Sequence, residues 1–314
     1  MKYLPFLTGK YSTAPGLISI EKNPVPSEKF IFQLDDTYYS YIDNKSNCRK
    51  EDIYKYYCVA QLLPSTISSV NKYIVQQLCK EYPHIFIFKE EGDNFSLQNT
   101  LLKETLLWKN DWIDIENKKY QSLFDALCCQ VQEDLAVVQI NGEDNYLTAI
   151  HLCSPNHWSP TEKCGQNFEA IHVPVPGMDK TMQQHPKMLS AIIQKGPFTR
   201  FAWGIATDER LNHHPTPPAG VDNDYWNGRL KGDGSTKFYI RTERQNLVGF
   251  AEENAFLFTI RTYFYDIDEL DKTEKDLLWE AIETMPHESK LYKGVDKMEE
   301  ELRKKMFSNG STPT

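Results

Sequence analysis

Two β-rich runs, Leu135-Ala-Val-Val-Gln-Ile140 and residues 146–152, stand on either side of Asn141-Gly142. An Asn-Gly step between two such runs predicts a tight hairpin, because both central turn positions need positive φ. The chain must therefore open an antiparallel sheet at its middle. Three further β-like runs follow at 200–206, 237–245 and 255–265, the last dense in aromatic and β-branched residues. The last two are separated only by residues 246–254, too short for a helical crossover, so the expectation is an α+β fold on a mainly antiparallel five-stranded sheet.

The flanks read differently. Residues 1–35 carry Pro5, Pro15, Gly16, Pro24 and Pro26, which break regular structure and suggest a segment draped over another surface. Between residues 51 and 81, Ile53, Tyr57, Val70, Ile74, Val75 and Leu78 recur at helical spacing, with Pro64 and Pro83 as breaks. A further helix is expected near 122–132. After Asp271 the pattern is charged and amphipathic, ending in a frayed tail from Ser308. The resulting division is an N-terminal leader and helical extension over 1–119, a core over 120–265 and a C-terminal helical extension over 266–314.

Charge and cysteine content narrow the function. The 35 basic and 44 acidic side chains leave a net charge of −9, which argues against a polyanion partner such as nucleic acid or an anionic membrane. No run approaches the length of a membrane span and the first ten residues lack a signal-peptide pattern, so a cytoplasmic protein is expected. The seven cysteines are odd in number and include no Cys-x-x-Cys pair. That removes the common zinc, thioredoxin-like and covalent-haem patterns and favours buried free thiols. A metal or haem would have to be held by another residue type.

The stretch from Cys153 to Gly177 supplies one. Ser159 with Glu162 forms a capping box and Pro160 sits at the first helical position, so a helix starts there; Pro174 stops it at His172 or Val173. On that helix Cys164, Phe168, Ile171 and His172 share an apolar face, with Gly165 leaving a side-chain-free patch nearly in line. Two readings stand: a core histidine satisfied by a carbonyl and a water, or an axial iron ligand whose second nitrogen is fixed by a carbonyl. In the run 239–245, alternation places Tyr239, Arg241, Glu243 and Gln245 on one face and Ile240, Thr242 and Arg244 on the other. Arg200 and Arg261 add charge to runs otherwise apolar. Buried charges persist only when paired or liganded, so these strands hint at a polar pocket.

Taken together, the segments resemble the alpha subunit of haem-dependent oxidative N-demethylases, dimethylamine-oxidising enzymes built on a haem-binding PAS-like domain. The resemblance rests on Gln132-Glu-Asp-Leu135, on Ser154-Pro-x-x-Trp158-x-Pro160-x-Glu162-Lys163-x-Gly165, and on Ile171-His-x-Pro-Val-Pro-Gly177. Arg200-x-x-Trp203, Glu243-Arg-Gln-x-Leu247 and Phe258-Thr-Ile-Arg-Thr-Tyr263 complete it. The resemblance implies a PAS-like sheet and haem b, with His172 as the iron ligand. Gly165, Phe168, Arg241 and Arg261 become candidate cofactor contacts. It places Arg200 and Glu243 around dioxygen and a small cationic amine, with Arg241 and Arg244 as neighbouring alternatives, and Trp203 and Tyr239 as possible walls. Ala202 stands where the family pattern leads one to expect a polar residue, and residues 211–233, with His213, His214 and Trp226, do not align. No flavin, nicotinamide or four-cysteine iron–sulfur pattern is visible, so electrons are expected from reductase subunits carrying FMN and a 2Fe–2S centre and drawing on NADPH. A haem-based gas or redox sensor on the same scaffold is the alternative.

Overall fold

The computed structural model describes residues 2–142, 144–227 and 236–307. Its strands are β1 (Ile18–Ser19), β2 (Tyr57–Val59), β3 (Phe86–Glu91), β4 (Asn94–Asn99), β5 (Glu104–Lys109), β6 (Asp134–Asn141), β7 (Asp144–His151), β8 (Phe198–Ala206), β9 (Tyr239–Phe250) and β10 (Ala255–Asp266). Seven of them make one antiparallel sheet in the order β1-β8-β9-β10-β6-β7-β2, and β3-β4-β5 make a second. The five expected strands are all present and lie next to one another. The sheet is nonetheless seven-stranded rather than five-stranded, because two short strands from the first third of the chain add to its edges.

The hairpin β6–β7 forms where the Asn-Gly signal lies, one residue displaced. Asn141 pairs with Asp144 as the last strand pair, and Gly142, at φ +66°, opens the turn. Glu143 itself lies outside the described residues. The linker between the last two strands is shorter than expected: β9 continues to Phe250 and turns over 251–254. The small sheet was not anticipated. Its first turn, Gly92-Asp93, is a recognisable hairpin step hidden in a charged run from Lys89 to Asn94.

The helices are α1 (Tyr38–Tyr56), α2 (Pro64–Glu81), α3 (Leu123–Cys128), α4 (Pro160–Lys163), α5 (Phe168–His172), α6 (Asp179–Lys195), α7 (Asn223–Asn227), α8 (Lys272–Glu283), α9 (His287–Lys293) and α10 (Glu299–Phe307). Pro64 opens α2 at its first turn, where the missing N–H costs nothing, and is not a break within a helix. The single helix expected over 160–172 is two. The capping box forms as predicted, but Cys164 is extended and Gly165 sits at φ +79°. There the chain turns to pair with β7, Gly165 N donating to Leu147 O and Leu147 N to Gln166 O. Asn167 then caps α5 by accepting from Ala170 N.

Each face of the large sheet is covered. Leu135, Val137, Ala149, Val248 and Leu257 pack with α2, α3 and the small sheet. At the β8–β9 end of that face, Trp203, Ile205, Phe238 and Ile240 pack with Leu4, Phe6 and the C-terminal helices. The opposite face meets α5 and α6, through Phe168, Leu189, Ile192 and Ile193 against Leu247 and Phe256. Here α6 approaches β9 so closely that a Cβ at Gly249 would lie 2.2 Å from Ile193 O and 2.6 Å from Ile192 O. Gly249→Ala is expected to push α6 away and destabilise the protein by about 1–3 kcal/mol, as overpacking does. Urea unfolding checks this, with Gly204→Ala as the comparison, since a Cβ at Gly204 meets nothing within 4 Å.

Candidate functional site

A cavity of about 430 Å³ lies on the α5–α6 side of the sheet. That volume suits a bound cofactor or small ligand. Its floor is one strand face, with Ala136, Val138, Leu147, Ile150, Leu247, Phe256, Phe258 and Ile260 contributing apolar surface. Phe168 and His172 of α5, and Met188, Leu189 and Ile192 of α6, form the roof. Residues 11–14 of the N-terminal segment close one side, tied down where Thr13 Oγ1 donates to Gly177 O at 2.7 Å.

His172 is placed by short-range chemistry. Phe168 N donates to Asn145 Oδ1 at 2.7 Å, which docks the start of α5 on β7. One turn later the His172 Nδ1–H donates to the Phe168 carbonyl at 2.7 Å. A carbonyl can only accept, so the proton is on Nδ1 and the lone pair on Nε2. Burial pushes the imidazole pKa down to about 4, with the nearby Arg200 and Lys163 cations acting in the same direction. The ring is neutral near pH 7, as a metal-binding imidazole must be. The Phe168 ring lies against it, tilted by 33° with ring centroids 4.1 Å apart.

The strand register gathers the polar wall. Arg200 lies opposite Gln245 and Ala202 opposite Glu243, so Arg200, Glu243 and Gln245 share the face that lines the cavity. Gln245 Nε2 donates to Glu243 Oε2 at 2.8 Å and fixes the carboxylate. Arg200 makes no hydrogen bond among the described residues, and its Nε is buried without a partner. Burial lowers its pKa, opposed by the Glu243 charge. A guanidinium kept in this state is a donor set aside for something the protein does not itself supply.

Arg241 reaches the same cavity, but both of its terminal nitrogens are engaged elsewhere, while its Nε is buried without a hydrogen-bond partner among the described residues. Its Nη2 donates to Ser154 O at 2.7 Å and Pro155 O at 3.1 Å; its Nη1 donates to Leu211 O at 3.2 Å and to His213 Nδ1 at 2.9 Å. His213 Nε2–H in turn donates to Asp208 Oδ1 at 2.9 Å. Burial lowers the His213 pKa to about 4, consistent with a neutral ring that accepts on one side and donates on the other. The described part of 211–233 thus acquires a role that could not be read from sequence: it is the wall that Arg241 holds against residues 154–155. His157, at φ +63°, stacks on His213 and lines the cavity. Residues 228–233 of that segment lie outside the described residues.

Four residues that the sequence singled out, Arg261, Arg244, Gly165 and Tyr239, are placed away from the cavity. Arg261 points to the other face, where its Nη2 donates to Asp35 Oδ2 at 2.8 Å and its guanidinium lies 3.8 Å from the Tyr41 ring centroid. Strand alternation causes this, since Arg261 pairs with Arg244 while the cavity takes the neighbouring Ile260. Arg244 is likewise on the far side, donating to Glu28 O and Phe30 O. Gly165 does not line the cavity; it makes the turn between α4 and α5. Trp203 does line the cavity, while its ring also packs edge-on to Phe6 in the neighbouring core; Tyr239 does not line it. Lys163 and residues 156–158 line it without having been expected as site residues, although they lie inside the segment singled out by its caps and prolines.

A second polar cluster is buried behind the sheet. His151 Nε2 lies 3.4 Å from Asp125 Oδ1 and 3.7 Å from Cys129 Sγ, and its Nδ1 lies 3.9 Å from Cys153 Sγ. The spacing of Asp125, Cys129 and His151 suits a metal ion, but the carboxylates are already used. Asp125 accepts from Arg49 and from Gln121 N, and Asp134 accepts from Cys153 N and Ser154 N. With Lys45 and Arg49 alongside, the cluster already carries its counter-cations and reads as an ionic knot that ties α1 and α3 to the sheet.

A neutral imidazole therefore faces a cavity whose other wall holds an unengaged guanidinium and a positioned carboxylate. The family model described as haem-dependent oxidative N-demethylase, alpha subunit-like, matches residues 25–303, which takes in every strand of the large sheet but β1, together with His172, Arg200 and Glu243. The chain belongs to the haem-dependent oxidative N-demethylase, alpha subunit-like family.

Proposed function

We propose that this chain is a haem b-binding oxygenase subunit that removes an N-methyl group from a small alkylamine. The observation that carries the reading is the cavity itself, with His172 on one wall and Arg200 and Glu243 on the other. Five adjacent strands in the order β8-β9-β10-β6-β7 support a PAS-like core near 120–265, with helical extensions at both ends. The residues present fit a haem. His172 offers a neutral Nε2, Phe168 and the strand aliphatics offer flat apolar surface, and the orphaned Arg200 Nε offers a donor on the far wall.

When bound, the haem supplies the iron that activates dioxygen and receives the reducing electrons. His172 holds it through Nε2, kept in the right tautomer by the Phe168 carbonyl. Glu243 receives the alkylammonium as an ion pair and takes the proton that frees the amine lone pair. Gln245 keeps the carboxylate aimed at the cavity. Arg200 donates N–H bonds toward negative charge developing beside the substrate, in a site dry enough for such bonds to be strong. Formaldehyde and the shortened amine are the products that such chemistry would release. Electrons come from partner subunits carrying FMN and 2Fe–2S and using NADPH.

Three outcomes are expected. His172→Ala, supplied with haem, should lose the Soret band of the wild type, and added imidazole should restore it. Glu243→Gln should leave that band in place, abolish the spectral shift on adding dimethylamine, and slow amine-dependent oxygen consumption by about 10²–10⁴-fold. A wild type with no amine response would favour a gas sensor instead. The third concerns pH. His172 binds a proton near pH 4 when folded and near 6.5 when unfolded, so protons favour the unfolded chain between these values. Its contribution to stability is complete above about pH 6.5 and is lost as pH falls toward about 4. Urea midpoints of the apoprotein across this range should fall more steeply for wild type than for the non-titrating His172→Phe.

A further inference from the structure

Cys164 and Cys58 belong to different parts of the chain but occupy one place. Cys58 lies in β2, whose residues pair with β7 as Cys58 with Ile150 and Val59 with Ala149, and Ala60 N continues the pairing to Thr148 O at 2.8 Å. The turn 164–166 docks on the next stretch of the same β7 edge, through Gly165 N and Leu147 O at 2.8 Å. The two segments touch: a Cβ at Gly165 would lie 3.4 Å from Ala60 Cβ. Both sulfurs pack against one cluster, with Ile171 and Trp158, and both residues are half-buried rather than sealed. Burial and the adjacent Cys58 thiol push the Cys164 pKa up, so Cys164 keeps its proton beside Cys58.

We propose that Cys58 and Cys164 are an oxidisable dithiol which hydrogen peroxide closes to a disulfide, pinning the turn that leads into the His172 helix to the edge strand β2. The Cys58 sulfur attacks one peroxide oxygen, the O–O bond breaks, and Cys58 sulfenic acid and one water result. The Cys164 sulfur then attacks the Cys58 sulfur, and its proton leaves with the hydroxyl group as a second water. Two thiols lose two hydrogens in all and one peroxide becomes two waters. The position of the bond gives it meaning. Cys164 is the residue after α4, and α5 starts at Phe168 and ends at His172, so the crosslink shortens the free tether on which His172 is carried.

A second thiol pair supplies an internal control. Cys48 and Cys153 also neighbour one another but are only 2% and 0% exposed, with Cys153 held near His151. Enclosure on that scale keeps an oxidant out.

The test uses the full-length chain, treated with hydrogen peroxide, alkylated, and digested without reductant for mass spectrometry. Two of the seven thiols should disappear, with the appearance of a peptide pair joined through Cys58 and Cys164 and lighter by two hydrogens. Cys58→Ser should abolish the joined peptide and leave Cys164 alkylatable; Cys164→Ser provides the same reading should the first variant fold poorly. With haem bound, oxidation should slow haem transfer to apomyoglobin in wild type but not in either variant. Only that last measurement rests on the haem reading, so the disulfide and the cofactor fail separately. Cys58 and Cys164 both remaining alkylatable after peroxide, or a joined peptide through Cys48 and Cys153 instead, would overturn the proposal.

Discussion

Three arginines on the two central strands, Arg241, Arg244 and Arg261, are each buried to 2% exposure or less. Three guanidinium groups cannot be taken out of water without partners, so much of the surrounding chain is arranged to supply them. Arg244 collects the carbonyls of Glu28 and Phe30, Arg261 takes Asp35 and the faces of Tyr41 and Tyr263, and Arg241 takes Ser154, Pro155, Leu211 and His213. Irregular backbone is what such groups need, since a helix or strand has already spent its carbonyls. This explains the proline-rich leader. Segment 28–35 is held on the sheet by these bonds and by Asn246 to Ile31 O, Gln33 N to Glu133 and Asp35 N to Gln132.

The same requirement builds the cavity. By pulling residues 154–155 and 211–213 together, Arg241 fixes where Asn156, His157 and Trp158 stand along the rim. Across the cavity the Phe168 carbonyl and the Asn145 side chain set the α5 ring on which a metal would be held. Two walls with independent supports face one another, so a change to one need not move the other. A site assembled on strands and on a helix capped to a strand is also stiffer than one built on loops.

What could be read from the residues alone was whatever depends on neighbours in sequence. The β6–β7 hairpin follows from a glycine between two alternating runs, and the capping box at Ser159–Glu162 from residues three apart. Period-two alternation put Arg241, Glu243 and Gln245 on one face and Arg244 on the other, as found. What escaped depends on pairings far away. The face taken by Arg261 is set by its pairing to Arg244 and by Asp35, 226 residues distant. The break at Cys164–Gln166 exists because the exposed edge of β7 offers Leu147 N–H and C=O to the turning chain. Gly165 within a predicted helix was the one local sign of it. Strands as short as β1 and β2 carry no period to detect.

Partner counting also separates the arginines that motif position alone leaves equivalent. Arg200, Arg241 and Arg244 each sit on strands at the cavity end of the sheet, and each is a reasonable donor for a developing negative charge. Arg241 through both terminal nitrogens, and Arg244 through Nη2, hold fixed carbonyls even though the Nε of each and Arg244 Nη1 are buried without a hydrogen-bond partner among the described residues, so redirecting either toward a substrate would strand those carbonyls in a dry interior. Arg200 has no such commitment among the described residues and lies opposite Gln245, on the same face as Glu243. An uncommitted buried guanidinium costs stability in the resting protein, and that cost is recovered only when a ligand meets it. Stability measured without haem should therefore rise on replacing Arg200 with a neutral residue of similar length such as Met, whereas Arg241→Met should lower it; thermal unfolding of the two apo variants decides which arginine the fold needs and which the chemistry needs.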